Sequence, residues 1–395
     1  MLAIRNKTAI VGTAYSRIAR RADVTIGVLA VEAIQGALED AGLTVSDVDG
    51  LAVYPDAARL GAGSVDGVDV VGAFYVARML GLKDQLRWSV QMNPSSFAAT
   101  VIAAANAVAA GACNHAVVWR AMHNPVGKFG RFTSDVAEGT REFSAPYGLA
   151  NNVMSDAMPY SRYMSLYGAT REHMATFIVN NRLNASANPD SVFYGKPLTK
   201  DDYMSCRMIA EPLSLLDCDM PVDGCGAVVV TGADRAKHLK QLAAYITGYA
   251  SNGAEFATSP VITLDSQEQS AGLLGKTLWE SCGMRPTDVD MASLYDGFSS
   301  LTYIWLEGLG FCKRGEAFEF IQDGRISIDG QLPLNTSGGS LGMGRLHGTP
   351  QVIEAVRQLQ GRCGPRQVKS AKIVLAQTGP HSRGAAMILC SDQNI

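Results

Sequence analysis

The chain has 395 residues, 47% hydrophobic and 18% charged, which is enough to bury a large core in two or three domain-sized units and too apolar for a disordered chain. Thirty-four basic residues against thirty-seven acidic give a formal charge of -3 with no run of five like charges, so a small-molecule substrate fits better than nucleic acid or an anionic membrane. The N-terminal residues reach Ala9-Ile10-Val11-Gly12 without a signal-peptide core, and no apolar run is long enough for a membrane span, so a cytoplasmic location is expected. Eight cysteines, at 113, 206, 218, 225, 282, 312, 363 and 390, form no CxxC pair and read as reduced core thiols, with no metal site.

In chain order, residues 7–12 read as a strand and 24–41 as an amphipathic helix that meets Gly42. A short Asp-containing turn and an apolar strand up to Tyr54 follow. Residues 86–91 form another strand, 95–110 an Ala-rich helix, and 116–120 a buried strand. Residues 122–221 break this rhythm, being rich in Met, Asn, Tyr and Arg with a helix over 170–184, and read as a loop domain over the active site. Asp223-Gly224-Cys225-Gly226 enters a further buried strand. Strands at 243–249, 292–295, 332–335, 372–376 and 385–389 then alternate with helices at 266–282 and 349–360.

The chain repeats itself. AGLTVSDVDGLAVY ends at Tyr54 and CGMRPTDVDMASLY ends at Tyr295, so Gly42, Asp47, Val48, Asp49 and Tyr54 recur 241 residues later. Strand follows helix in both copies, as in a parallel sheet with helices on each face. The expected units are an N-terminal half (1–121 with 222–240), a loop or lid domain (122–221) and a C-terminal half (241–395).

Four segments carry a family resemblance: Tyr295-Asp296-Gly297-Phe298, Leu332-Pro333-Leu334-Asn335-Thr336-Ser337-Gly338-Gly339, Gly344-Arg345-Leu346-His347-Gly348 and Gln377-Thr378-Gly379-Pro380. With the duplication they resemble the thiolase superfamily over nearly the whole chain, and within it the branch related to sterol carrier and lipid-transfer proteins. The resemblance implies an α/β fold of two βαβαβαββ halves in α-β-α-β-α layers, with an inserted loop domain.

The family's nucleophilic cysteine starts the buried helix after the third strand. Here Gln91-Met92-Asn93-Pro94-Ser95-Ser96-Phe97 puts Ser95 at or within one residue of that place. A serine there needs a dedicated base to attack, and an N-cap is its plainer role. The family's Gly-His-Pro-Leu-Gly loop aligns with 344–348, so Arg345 replaces the base and His347 follows two positions later. The C-terminal cysteine is lost in Ala376-Gln377-Thr378-Gly379.

A tyrosine at 295 without the cysteine resembles the thiolase-like aldolases that shorten steroid side chains in bacteria, although a second tyrosine stands in those enzymes where this chain has Arg345. The resemblance implies retro-aldol cleavage of a β-hydroxyacyl-CoA with a steroid or bile-acid side chain. It implies Tyr295, Arg345 and His347 as catalytic residues, and Asn335, Gly379, Asp296 and Ser95 as oxyanion or substrate contacts. A tyrosine acting as base needs its phenol brought from about 10 toward 7, roughly 4 kcal/mol of preferential phenolate stabilisation, which a nearby guanidinium can supply. Each residue has a plainer reading: Tyr295 as a strand-end tyrosine, Asp296 as a loop anchor, Arg345 as a CoA-phosphate ligand and His347 as structural. A Claisen-type acyltransferase and a non-catalytic acyl-CoA or lipid carrier stay open as alternatives. No cofactor is implied beyond the substrate's CoA. The expected assembly is a homodimer joined by a small OB-fold and zinc-ribbon partner into a heterotetramer.

Overall fold

The computed structural model describes residues 4–54, 71–82, 84–92, 96–123, 137, 139–149, 151–251 and 262–395. The first half runs β1 (Thr8–Tyr15), α1 (Ile26–Ala41), β2 (Gly50–Val53), α2 (Ala73–Leu80), β3 (Trp88–Gln91), α3 (Phe97–Ala109) and β4 (His115–Met122). An intervening segment holds α4 (Asn152–Tyr167), α5 (Arg171–Ser186), α6 (Lys200–Met204) and a small hairpin, β5 (Met208–Ala210) and β6 (Leu213–Ser214). The chain returns through β7 (Gly224–Gly232) and α7 (Ala233–Ala236). The second half comprises β8 (Ala244–Ser251), α8 (Leu264–Cys282), β9 (Met291–Ser293), α9 (Leu301–Gly308), α10 (Ala317–Phe320), α11 (Gly339–Met343), α12 (Thr349–Leu359), β10 (Ile373–Thr378) and β11 (Ala385–Cys390).

The strands hydrogen-bond in the order β3-β2-β4-β7-β1-β8-β11-β10-β9, the halves joining through the antiparallel β1–β8 pair. Each half repeats one pattern. The pairs β1–β7 and β7–β4 are antiparallel and β4–β2 is parallel; β8–β11, β11–β10 and β10–β9 match them. In the place of β3, among the described residues, the second half has only a parallel bridge between Ala292 and Leu334. The strand expected over 332–335 stops there because Asn335 turns into the left-handed region at φ 48.

Period-two alternation divides the core. On β4, Ala116 and Val118 face the cluster that contains α3 and α12, while Val117 and Trp119 face α1 and α2. On β11, Ala385, Met387 and Leu389 join the α3–α12 cluster, and Ala386, Ile388 and Cys390 face α8 and α9. α3 and α12 are therefore sandwiched between the two half-sheets, with outer helices beyond each, in five layers. α3 is rich in alanine and buried almost all round, as a central layer requires.

The recurring motif has a physical basis. Thr25 caps α1 and Thr263 caps α8 through their side chains, and Gly42 and Gly283 end the two helices in the left-handed conformation. Asp49 accepts the main-chain N–H groups of Asn114 (2.7 Å) and His115 (2.8 Å), and Asp290 those of Lys372 (2.7 Å) and Ile373 (2.9 Å). Each aspartate thus ties the entry of one parallel strand to the next. Sequence reasoning missed α2, α4 and α9. α4 has Pro159 in its interior, and it buries Tyr160 and Tyr163 against Tyr303 of α9 instead of an aliphatic stripe. Among the described residues no helix is long and apolar enough to cross a membrane.

Candidate active site

The site forms beyond the carboxyl ends of the parallel neighbours β9 and β10, where open α/β sheets place their loops. Tyr295 stands two residues after β9. Its N–H donates to Oε1 of Gln377 (2.9 Å), and the buried Gln377 amide donates in turn to the carbonyls of Thr378 (3.0 Å) and Gly379 (2.9 Å). The Tyr295 main chain and the Gln377–Gly379 turn are thereby one unit. The half-buried phenol folds back over Gly297, where a Cβ would lie 2.6 Å from its oxygen.

Thr378 carries this unit to the other half of the molecule. Its Oγ1 accepts the N–H of Ala98 (2.9 Å), one of the orphan donors in the first turn of α3. Ser95 lies outside the described residues; Ser96 is the backbone N-cap. Gly348, at φ 93, allows the 344–348 loop against this point: a Cβ there would lie 2.7 Å from the Cβ of Thr378 and 3.5 Å from that of Phe97. Three of the segments singled out in the sequence therefore meet at the start of α3.

The remaining site residues divide in two. His347, itself at φ 48, places Nδ1 3.0 Å from Nη2 of Arg120 and 3.4 Å from the hydroxyl of Tyr54. Arg345 is buried, donates its N–H to the Met220 carbonyl (2.8 Å), and places Nε 3.9 Å from Asp219. The N–H of Asp219 donates to the Gly297 carbonyl (3.1 Å), so the Arg345 and Tyr295 loops meet through this residue. Burial pushes the Asp219 carboxyl up to about 7; Arg345 pulls it down and Asp296 pushes it further up.

Asp296 and Asn335 hold the frame. The buried Asp296 carboxylate accepts from the main chain of Ser340 (2.6 Å) and Leu341 (3.4 Å), from Nδ2 of Asn181 (2.7 Å) and from Nε2 of Gln351 (3.0 Å). Burial pushes it up to about 7, with the Ser340 and Leu341 N–H groups opposing. Gly339, at φ 63, leaves the room this carboxylate occupies. The Asn335 amide accepts the N–H of Leu294 (2.7 Å) and donates to its carbonyl (3.0 Å), standing in for a strand partner. Both were expected as substrate contacts, and the bonds described here tie both side chains to protein groups. α5 closes over the frame with an asparagine row: Asn184 donates to the Asn335 carbonyl (3.2 Å) and, beyond the helix end, Asn188 to that of Ser337 (3.0 Å).

Tyr54, Arg120, Asp219 and the linking pair Gln377 and Thr378 were not foreseen as site residues. Tyr54 had a signal, being the mate of Tyr295 in the repeat; Arg120 is a lone cation in an apolar strand.

Residues 248–391 match the family described as "Thiolase C-terminal domain-like". The chain is 38% identical over 373 residues to a 17-hydroxy-3-oxo-4-pregnene-20-carboxyl-CoA lyase of Mycobacterium tuberculosis, covering 91% of this chain and 92% of that one. It is 36% identical over 379 residues to a steroid side-chain-cleaving aldolase of Thermomonospora curvata, covering 92% and 93%. The chain belongs to the thiolase-like aldolases. A solved structure described as an Ltp2-ChsH2(DUF35) aldolase superposes on this aldolase over 100% of both chains with a TM-score of 0.88 at 33% identity.

Proposed function

We propose that this aldolase cleaves the Cα–Cβ bond of a β-hydroxyacyl-CoA whose acyl group is a steroid side chain. The observation that carries the reading is Tyr295 at the mouth of β9, in a thiolase-type site where the sequence has no cysteine at the start of α3. Retro-aldol cleavage tolerates that loss because no covalent acyl-enzyme forms. The Tyr295 phenolate takes the β-hydroxyl proton, the Cβ–O bond becomes a carbonyl, and the electrons of the broken Cα–Cβ bond pass to the thioester as an enolate. Protonation at Cα then gives the shorter acyl-CoA.

Arg345 supplies positive potential for the phenolate. Because the Asp219 carboxyl titrates near neutrality, its charge does not fully cancel the guanidinium there. His347 donates to the enolate oxygen, assisted by main-chain groups of the Gly379 turn. Residues 122–221 act as a lid domain over the acyl chain. The enzyme works in the cytoplasm as a homodimer with a separate OB-fold partner that helps enclose the CoA thioester; the two names in the description of the related solved aldolase support a second component.

The test is incubation with 17-hydroxy-3-oxo-4-pregnene-20-carboxyl-CoA, with and without a co-expressed partner. Cleavage releases propionyl-CoA and the 17-ketosteroid in equal amounts. Absence of both products, with the folded protein and partner present, would refute the reading.

A further inference from the structure

We infer that Arg120 and Tyr54 hold His347 as the neutral tautomer protonated on Nε2, making Arg120 a positioning residue for the cleavage reaction. The inference rests on the donor role proposed for His347 and deepens it.

The argument starts from what a guanidinium can do. Arg120 projects from β4, is 2% exposed, and donates through Nη1 to the Ala121 carbonyl (3.0 Å). Arginine has five N–H donors and no acceptor. Its Nη2, 3.0 Å from His347 Nδ1, can only be donating, so Nδ1 presents its lone pair and the ring proton sits on Nε2. The Tyr54 hydroxyl, 3.4 Å from the same nitrogen, donates to it as well. Tyr54 also steadies the cation, because Arg120 Cζ lies 4.9 Å from the centre of its ring.

The duplication gives this arrangement its logic. Tyr54 follows β2 as Tyr295 follows β9, at the 241-residue offset. One copy of the strand-end phenol faces the reacting carbon in the proposed mechanism; the other braces the histidine. A second proton on the half-buried His347 would set an N–H against the guanidinium, losing a hydrogen bond and adding like charge beside the buried Arg120. The charged and titratable groups around it reinforce this. Arg345 lies two residues away in the same loop beside Asp219, and Cys225 of β7 next to Arg120 is held as a thiol by burial. The guanidinium also draws electron density from the ring, strengthening Nε2–H as a donor to a developing enolate.

Nitrogen-15 NMR of the histidine-labelled full-length enzyme tests this directly, the His347 signal being identified by its loss in His347→Gln. The wild type should show Nδ1 as the acceptor and Nε2 as the protonated nitrogen. In Arg120→Met the two tautomers should mix and kcat/KM should fall about tenfold or more with KM little changed, whereas Arg120→Lys, which keeps a cationic donor, should retain the tautomer and most activity. A protonated Nδ1 in the wild type, or an unaltered tautomer in Arg120→Met, would overturn the inference. If the tautomer is as described but His347→Phe cleaves at the wild-type rate, the catalytic role of His347 fails while the bracing by Arg120 stands.

Discussion

Thr378→Val isolates the joint between the two halves. Valine matches threonine in shape but lacks the oxygen that accepts the Ala98 N–H at 2.9 Å. Thr378 and Ala98 are both 0% exposed, so water does not readily replace the lost acceptor. An unpaired buried N–H costs about 1–3 kcal/mol, and the added methyl returns up to about 0.8 kcal/mol, leaving a net loss of about 1–2 kcal/mol. For 395 residues, with an unfolding entropy of about 2.1 cal/mol/K per residue, that lowers Tm by only about 1–2.5 °C. The effect on catalysis should be larger. The same oxygen locks the start of α3 to the turn that supports Tyr295, and small misplacements at a reacting centre cost up to 100-fold. In the cleavage assay kcat/KM should fall at least tenfold, while Thr378→Ser, which keeps the acceptor, should stay within threefold of the wild type. A valine variant with full activity, or a serine variant as impaired as valine, would show that this bond does not organise the site.

Tyr295→Phe keeps the ring over Gly297 and removes only the proposed base, so kcat should fall 10²–10⁴-fold with little change in KM or urea stability; activity within threefold of the wild type would exclude the phenol as base. Asp219 and Asp296 each have a folded-state carboxyl raised to about 7, so the folded protein holds these protons more tightly than the unfolded chain. Their stability contribution is complete below about pH 4 and is lost as pH rises through 7, up to about 4 kcal/mol for each full shift. Urea melts between pH 5 and 8 should therefore show a steeper decline in the wild type than in Asp219→Asn, and equal slopes would refute the shift at Asp219. Gly339→Ala places a Cβ 2.6 Å from Oδ1 of Asp296 at φ 63, and should cost about 2–4 kcal/mol. Gly361→Ala, at φ 69 with no atom within 4 Å, should cost only about 1–2 kcal/mol, and equal losses at the two positions would remove the steric argument.

The duplicated frame was legible because its signals are local. A helix-ending glycine and an aspartate that binds two main-chain N–H groups both lie within the repeated stretch before each parallel strand, and a threonine caps the helix that leads into it. The apolar alternation of β4 and β11 likewise needs no knowledge of the partner strand. α4 was not legible, since its buried face mixes Asp156, Tyr160 and Tyr163 with Val153 and Ala157 and holds Pro159.

The candidate site was legible only on the side that repeats a family motif. The sequence singles out Tyr295, Arg345 and His347, but their partners Gln377, Asp219 and Arg120 lie 82, 126 and 227 residues away along the chain. An arginine within an apolar strand carries no sign of the ring nitrogen it will face, because that pairing is set by how β4 and the 344–348 loop approach each other from different halves. Asn335 and Asp296, expected from the sequence as substrate contacts, show a second limit of the sequence. Polar residues beside glycines resemble ligand contacts in sequence, yet a buried turn must satisfy its own main chain first, and here Leu294, Ser340 and Leu341 take up those side chains. Polar residues that fix main-chain groups in this way leave the proposed chemistry to Tyr295, Arg345 and His347, and the groups that touch Arg345 and His347, namely Asp219, Arg120 and Tyr54, come from distant parts of the chain.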